Sequence, residues 1–122
     1  MDLYAYWDAI VRQDAFLMRE FFHDDATISW PNTGECYSVD SFIRMNCSYT
    51  GRWTGMVERV EKAGDLCITV TRVASLDSPL SHHAVSFFRI MDGKIHGLEE
   101  YWSEDAPPPE WRQALLSPLT SN

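Results

Sequence analysis

Glu100, His82, His96 and Ser86 are the side chains best suited to move or hold a proton, and a strand-like reading of the C-terminal half brings them together. The segments SHHAVSFFRI and KIHGLEEYWS flank Met91-Asp92-Gly93. A three-residue loop with Gly93 in the left-handed conformation sets Ile90 opposite Lys94. Phe88, Ser86, Ala84 and His82 then oppose His96, Leu98, Glu100 and Trp102. One sheet face carries His82, Ser86, His96, Glu100 and Trp102; the other carries Val85, Phe87, Ile95 and Tyr101. A carboxylate between Leu98 and Trp102 is partly desolvated, which raises its pKa, while a protonated histidine nearby lowers it again. Such tuned pairs serve general acid–base chemistry. The competing structural reading has Glu99 and Glu100 straddling an edge, one solvated and one bridging to Arg59 or Arg112.

Other candidates carry less chemistry. Adjacent strand residues point to opposite faces, so His82 and His83 cannot chelate one ion together. His82, His96 and Glu100 could form a two-histidine, one-carboxylate set, but cross-strand histidines more often hydrogen-bond than ligate, so no metal is expected. His23-Asp24-Asp25 reads as a solvated helix end. Tyr6, Trp30, Phe42, Tyr49, Trp53, Phe88 and Trp102 either line an aromatic pocket or form ordinary core, with Tyr6 and Trp102 favouring the pocket. Cys67 reads as a small buried hydrophobe, without a basic neighbour in sequence to activate it.

The elements that must position these residues change period along the chain. Leu3, Tyr6, Trp7, Ile10 and Val11 recur at helical spacing behind Asp2, a candidate N-cap. Asp14 can cap a second helix, DAFLMREFF, whose apolar residues cover most of its circumference and predict deep burial. ATISW reads as a short strand closed by Pro31-Asn32-Thr33-Gly34. VDSFIRMNCSY follows as a third helix, with Phe42, Met45, Asn46 and Tyr49 on one side. From Arg52 four strand-like segments, RWTGMVERVEK, LCITVTRVAS, SHHAVSFFRI and KIHGLEEYWS, are joined by short turns. Helices first and an antiparallel meander after is an α+β pattern. Ala106-Pro107-Pro108-Pro109 marks the start of a surface tail.

Length and composition bound the rest. A chain of 122 residues that is 45% apolar and 13% aromatic suits one globular domain with its own core. The net charge of -8 removes the attraction that drives most nucleic-acid and anionic-membrane binding, so neither partner is expected. Cys36, Cys47 and Cys67 share no C-x-x-C spacing and cannot all pair, which fits reduced thiols in a cytoplasm. No signal peptide or apolar span is visible at the start of the chain.

Four segments together resemble the SnoaL-like branch of the nuclear transport factor 2-like superfamily: the capped turn at Asp14, FFHDDATISWP from Phe21 to Pro31, DGKI from Asp92 to Ile95, and EYWSED from Glu100 to Asp105. The resemblance implies a domain over residues 1–105, with N-terminal helices packed into a curved antiparallel sheet. That sheet forms a cone-shaped half-barrel around an internal pocket, and residues 106–122 form a Pro-rich tail. By the same resemblance Tyr6 matches the helix-one tyrosine with which ketosteroid isomerases hold the substrate oxygen. Trp30 falls where those enzymes carry their proton-shuttling aspartate, and Ser86 where they carry a second acidic donor. Tryptophan cannot accept a proton and serine donates more weakly than a carboxylic acid, so steroid isomerisation is not expected.

The expected function is binding of a small, largely apolar ligand by Tyr6, Trp30, Phe42, Ser86, Phe88, His96, Leu98 and Trp102. The alternative is a cofactor-independent lyase, isomerase or cyclase acting on a small carbonyl or cyclic compound, with Glu100 or His82 moving the proton and Tyr6 or Ser86 holding oxygen. No cofactor is implied by either reading. Val85, Phe87, Ile68 and Val70 on the outer sheet face predict a homodimer.

Overall fold

Asp2 and Asp14 each turn a short acidic side chain onto the free N–H groups of a following helix. Asp2 accepts from the Ala5 N–H at 3.0 Å and starts α1 (Leu3–Val11); Asp14 accepts from the Leu17 N–H at 3.1 Å and starts α2 (Ala15–Glu20). The computed structural model describes residues 1–118. α1 buries Leu3, Tyr6, Trp7, Ala9 and Ile10. α2 is not deeply buried: only Met18 is enclosed, and Phe16 is 80% exposed. The helix is one and a half turns long and meets α1 and the following elements on one side only, so its apolar circumference exceeds what its neighbours can cover.

The chain leaves α2 earlier than the sequence suggests. β1 (Phe22–Trp30) already includes His23-Asp24-Asp25, which therefore lie on a strand rather than a helix end. A turn containing Gly34, at φ 71°, leads into β2 (Glu35–Ser38), a strand too short to announce itself in sequence. Ser38 caps α3 (Val39–Asn46), which stops three residues before Tyr49. Then come β3 (Trp53–Ala63), β4 (Leu66–Ser75), β5 (Ser81–Met91) and β6 (Lys94–Glu104), followed after the proline run by α4 (Glu110–Gln113). The tail from Ala106 is exposed as far as it is described, with Trp111 71% exposed; residues 119–122 of it lie outside the described residues. Among the described residues no helix is long and apolar enough to cross a membrane.

The six strands form one unclosed sheet in the order β2-β1-β6-β5-β4-β3. β3 to β6 are the expected antiparallel meander, but the sheet is mixed, because β1 pairs with β6 in parallel. Helices α1 and α3 fill its concave side. At Gly55 an added Cβ would lie 3.0 Å from Val11 Cγ1, so this glycine lets α1 approach β3.

The β5–β6 register corrects the sequence reading. Asp92 and Gly93, at φ 50° and 77°, make a two-residue turn with Met91 opposite Lys94. One extra residue, His96, then bulges out of β6 between the Ile90–Ile95 and Arg89–Gly97 pairs. The bulge turns Ile95 into the core instead of onto the outer face, and leaves His96 exposed. Beyond it the ladder is displaced by two residues from expectation, which preserves facing: Phe88 opposes Leu98, Ser86 opposes Glu100, Ala84 opposes Trp102, and His82 opposes Glu104.

On the outer face His83 ties three segments together. Its Nδ1 lies 2.5 Å from Asp105 Oδ1 and its Nε2 2.9 Å from Glu58 Oε1, while Asp105 also accepts from Ser81 Oγ and lies 3.9 Å from Arg72 Nε. The hydrogen bond to Asp105, together with both carboxylate charges, holds the His83 pKa above its ordinary value; hydrogen bonds from Ser81 and His83 hold Asp105 below its own. The histidine's stabilising effect is therefore complete below about pH 6.5 and is lost as pH rises through the raised folded value. That of Asp105 is lost as pH falls through its lowered value. Thermal melts of the wild type and His83→Ala should differ more below about pH 6.5 than at pH values above the raised folded-state pKa of His83.

Candidate functional site

On the concave face Thr69, Ser86 and Glu100 lie side by side across β4, β5 and β6, and Trp30 ends β1 beside them. Period-two alternation aims all of them inward. Glu100 is 1% exposed. Its carboxylate accepts a 3.1 Å hydrogen bond from Trp30 Nε1 on Oε1 and a 2.6 Å hydrogen bond from Ser86 Oγ on Oε2. Burial raises the Glu100 pKa above the ordinary carboxylate value, and the donors from Ser86, Trp30 and Trp102 only partly offset that rise. Trp102 Nε1 favours the ionised carboxylate by proximity but does not meet it in hydrogen-bond geometry. It is one of three buried polar side-chain atoms without a partner among the described residues, with Tyr6 Oη and Thr71 Oγ1.

Above this floor lies a cavity of about 210 Å³, bounded by α1, the end of α3 and the inward rows of the sheet. Its wall is aromatic: Tyr6, Trp7, Trp30, Phe42, Tyr49, Trp53 and Trp102 all line it. Tyr6 projects from α1 with its ring edge-on to Trp7 and Phe88, at centroid distances of 5.7 and 5.1 Å. Burial, and secondarily the Glu100 charge, push its phenol pKa well up, so the hydroxyl stays protonated. His82 lines the rim, its ring 6.3 Å from that of Trp102.

The structure thus gathers Glu100, Tyr6, His82, Trp30, Phe42 and Trp102 into one site, with Tyr49 and Trp53. It does not place the other expected ligand contacts there. Ser86 is buried beneath the cavity with its hydroxyl committed to Glu100; Phe88 and Leu98 oppose each other in the core, 0% and 3% exposed. His96 is on the bulge, with its ring 6.1 Å from His23, so the set of His82, His96 and Glu100 does not assemble. Among the described residues no group of three His, Cys, Asp or Glu side chains is placed to hold a metal ion. Neither arginine considered for Glu100 reaches it as an ion-pair partner: Arg59 pairs with Glu61, and Arg112 stacks on Trp111.

Sequence reasoning missed the polar rim. Gln13, a non-glycine residue at φ 55°, donates from Nε2 to the Asn46 and Tyr49 carbonyls, both at 2.8 Å, and Asn46 Nδ2 donates to the Ile10 carbonyl at 3.0 Å. These bonds fasten the end of α1 to the end of α3 and fix the cavity mouth. Nothing in the local pattern marks Gln13, whereas Trp7 could have been found, since it adjoins Tyr6 on the apolar face of the first helix.

The SnoaL-like domain model matches residues 3–98. No curated protein matches the chain. Among solved structures, a candidate ketosteroid isomerase from Kribbella flavida DSM 17836 is 21% identical with a TM-score of 0.79, covering 98% of this chain and 87% of its own. An NTF-2 like protein of unknown function from Burkholderia xenovorans LB400 is 22% identical with a TM-score of 0.78, covering 97% and 92%. A candidate SnoaL-like polyketide cyclase from Shewanella denitrificans OS-217 is 12% identical with a TM-score of 0.68, covering 83% and 87%. At these identities the likeness is one of fold.

Proposed function

As the chain belongs to the SnoaL-like domain family, whose fold hosts unrelated activities, we propose from its own cavity that it binds one small, largely apolar molecule. The observation that carries this reading is an aromatic wall with few polar groups, among them the buried Glu100 carboxyl and the unpartnered Tyr6 hydroxyl. A cavity of about 150 Å³ is enough for benzene. At about 210 Å³ this one suits a compound of one or two rings and not a steroid. Four of the five tryptophans line it, so cyclohexenone or phenol should change the tryptophan fluorescence saturably. A four-ring ketosteroid should neither do so nor be isomerised. A flat response to every one- and two-ring compound would remove the binding reading.

A second reading rests on the burial of Glu100. A carboxyl group whose pKa is raised by burial can hold and return a proton more readily than an ordinary carboxylate, and the free Tyr6 hydroxyl can donate to oxygen on a small carbonyl or cyclic substrate. Glu100 is then the proton-transfer group and Tyr6 the oxygen-holding one, with no cofactor required. Ser86 does not hold substrate in this scheme; it holds Glu100.

The partner proposed for the outer face is a second copy of the chain. Ile68 lies beside Phe87 and Val70 beside Val85, all half-buried and directed away from the core, with Tyr101 next to Val85 on β6. Light scattering should give twice the 14.1 kDa chain mass, and Phe87→Asp should return it to 14.1 kDa. The proposed location is a reducing cytoplasm, where Cys36, Cys47 and Cys67, all free, stay as thiols.

A further inference from the structure

We infer that the ligand this cavity is built for is a small alkylated-ammonium cation, neutralised by Glu100 and enclosed by tryptophan and tyrosine rings. The inference rests on the binding reading above and names its ligand class.

The starting point is a charge imbalance. Glu100 has donors aimed at both carboxylate oxygens, the arrangement that stabilises an ionised carboxylate, and the 2.6 Å bond from Ser86 has the length of a charge-assisted one. Yet no lysine or arginine lines the cavity, and none pairs with Glu100 among the described residues. A buried carboxylate without a countercharge is costly, so it either takes a proton or acquires a cation. Among the described residues no lysine or arginine supplies one at this place. A ligand can.

The wall selects which cation. Ammonium and alkali ions keep their water strongly and gain little from an aromatic wall. Methylated nitrogen spreads its charge over apolar methyl groups that pack against rings, and aromatic cages are the usual site for quaternary ammonium groups. Trp30 and Trp102 flank the carboxylate, and Tyr6, Trp7 and Trp53 complete the enclosure. The Tyr6 oxygen also keeps lone pairs that can accept the N–H of a protonated tertiary amine. At a distance, the net charge of -8 attracts cations to the molecule as a whole.

The ionisable groups facing the cavity are Glu100, Tyr6 and His82. Raising pH ionises Glu100, which strengthens cation binding. A neutral ligand that accepts a hydrogen bond from protonated Glu100 has the opposite dependence.

The test compares choline with 3,3-dimethylbutan-1-ol, its neutral isostere, by calorimetry on the full chain between pH 5 and 8. Choline should bind at least about tenfold more tightly than the alcohol at pH 8. Its affinity should weaken as Glu100 is protonated, by up to about tenfold per pH unit. Glu100→Gln should cost choline about tenfold or more and change the alcohol by no more than about twofold. Should that variant fail to fold, the wild-type pH series decides. Equal or tighter binding of the alcohol overturns the cation assignment and leaves the binding reading standing. Choline binding that ignores both pH and Glu100→Gln also overturns it, and binding of neither compound overturns both.

Discussion

Glu100→Gln is expected to abolish the pH dependence that this residue imposes on stability and, if the cavity performs acid–base chemistry, to cut turnover by about 10²- to 10⁴-fold. The stability effect follows from the raised folded-state pKa. Between the ordinary value of 4.5 and the folded value, the native state binds the proton more tightly than the unfolded chain does. Glu100 therefore destabilises the fold progressively as pH rises through that interval, and the loss is complete above it. Glutamine removes the ionisation and keeps the shape: its carbonyl can accept from Trp30 Nε1 while its amide donates to Ser86 Oγ. Thermal melts should show the variant matching the wild type in acid and exceeding it at neutral pH. If Glu100 were instead one half of an ion pair with an arginine, the same substitution would lower the melting temperature at neutral pH.

Phe88→Ala is expected to have the largest effect on stability of any single truncation of a residue expected to touch ligand. Phe88 is 0% exposed, lies opposite both Cys67 and Leu98, and supports the Tyr6 ring at 5.1 Å. Removing a fully buried phenylalanine side chain costs about 3–5 kcal/mol, since the lost burial is compounded by a cavity that the neighbours cannot fill. For a domain of this size that is a fall in melting temperature of about 12–20 °C. Affinity for a cavity ligand should change far less at temperatures where the variant is folded, because Phe88 lies beneath the lining. Calorimetric melting and a fluorescence titration on the same sample separate the two quantities.

Both expectations depend on a register that the sequence conveyed only in part. The caps at Asp2 and Asp14, the meander from Trp53 to Glu104 and the inward facing of Glu100 and Trp102 were legible, because each is set by local pattern: a short acidic side chain before an apolar helical face, or alternation between turn residues. The loop at Asp92-Gly93 and the bulge at His96 were not. Asp92 in a left-handed conformation shortens the turn by one residue, the His96 bulge shifts the ladder by one more in the same direction, and the two departures together preserve facing while displacing the pairing. Glu100 therefore faced the right way in a reading that mispaired it, and its partner Ser86 went unrecognised. β2 and the parallel β1–β6 pairing were hidden for another reason: both depend on contacts distant in sequence, and a four-residue strand carries too little periodicity to show itself. The Gln13 strap escaped for a third, since side-chain bonds to the carbonyls of Asn46 and Tyr49 leave no trace in spacing.

The indole N–H of Trp30 offers the most direct measurement, because it donates to Glu100 Oε1 and needs no ligand to report. With the tryptophan indoles labelled with ¹⁵N, its resonance should follow the ionisation of Glu100 across a pH titration. The expected result is a midpoint above 4.5, with the transition absent in Glu100→Gln. A midpoint at or below 4.5, or a transition that persists in the variant, would contradict a desolvated carboxyl group on the cavity floor.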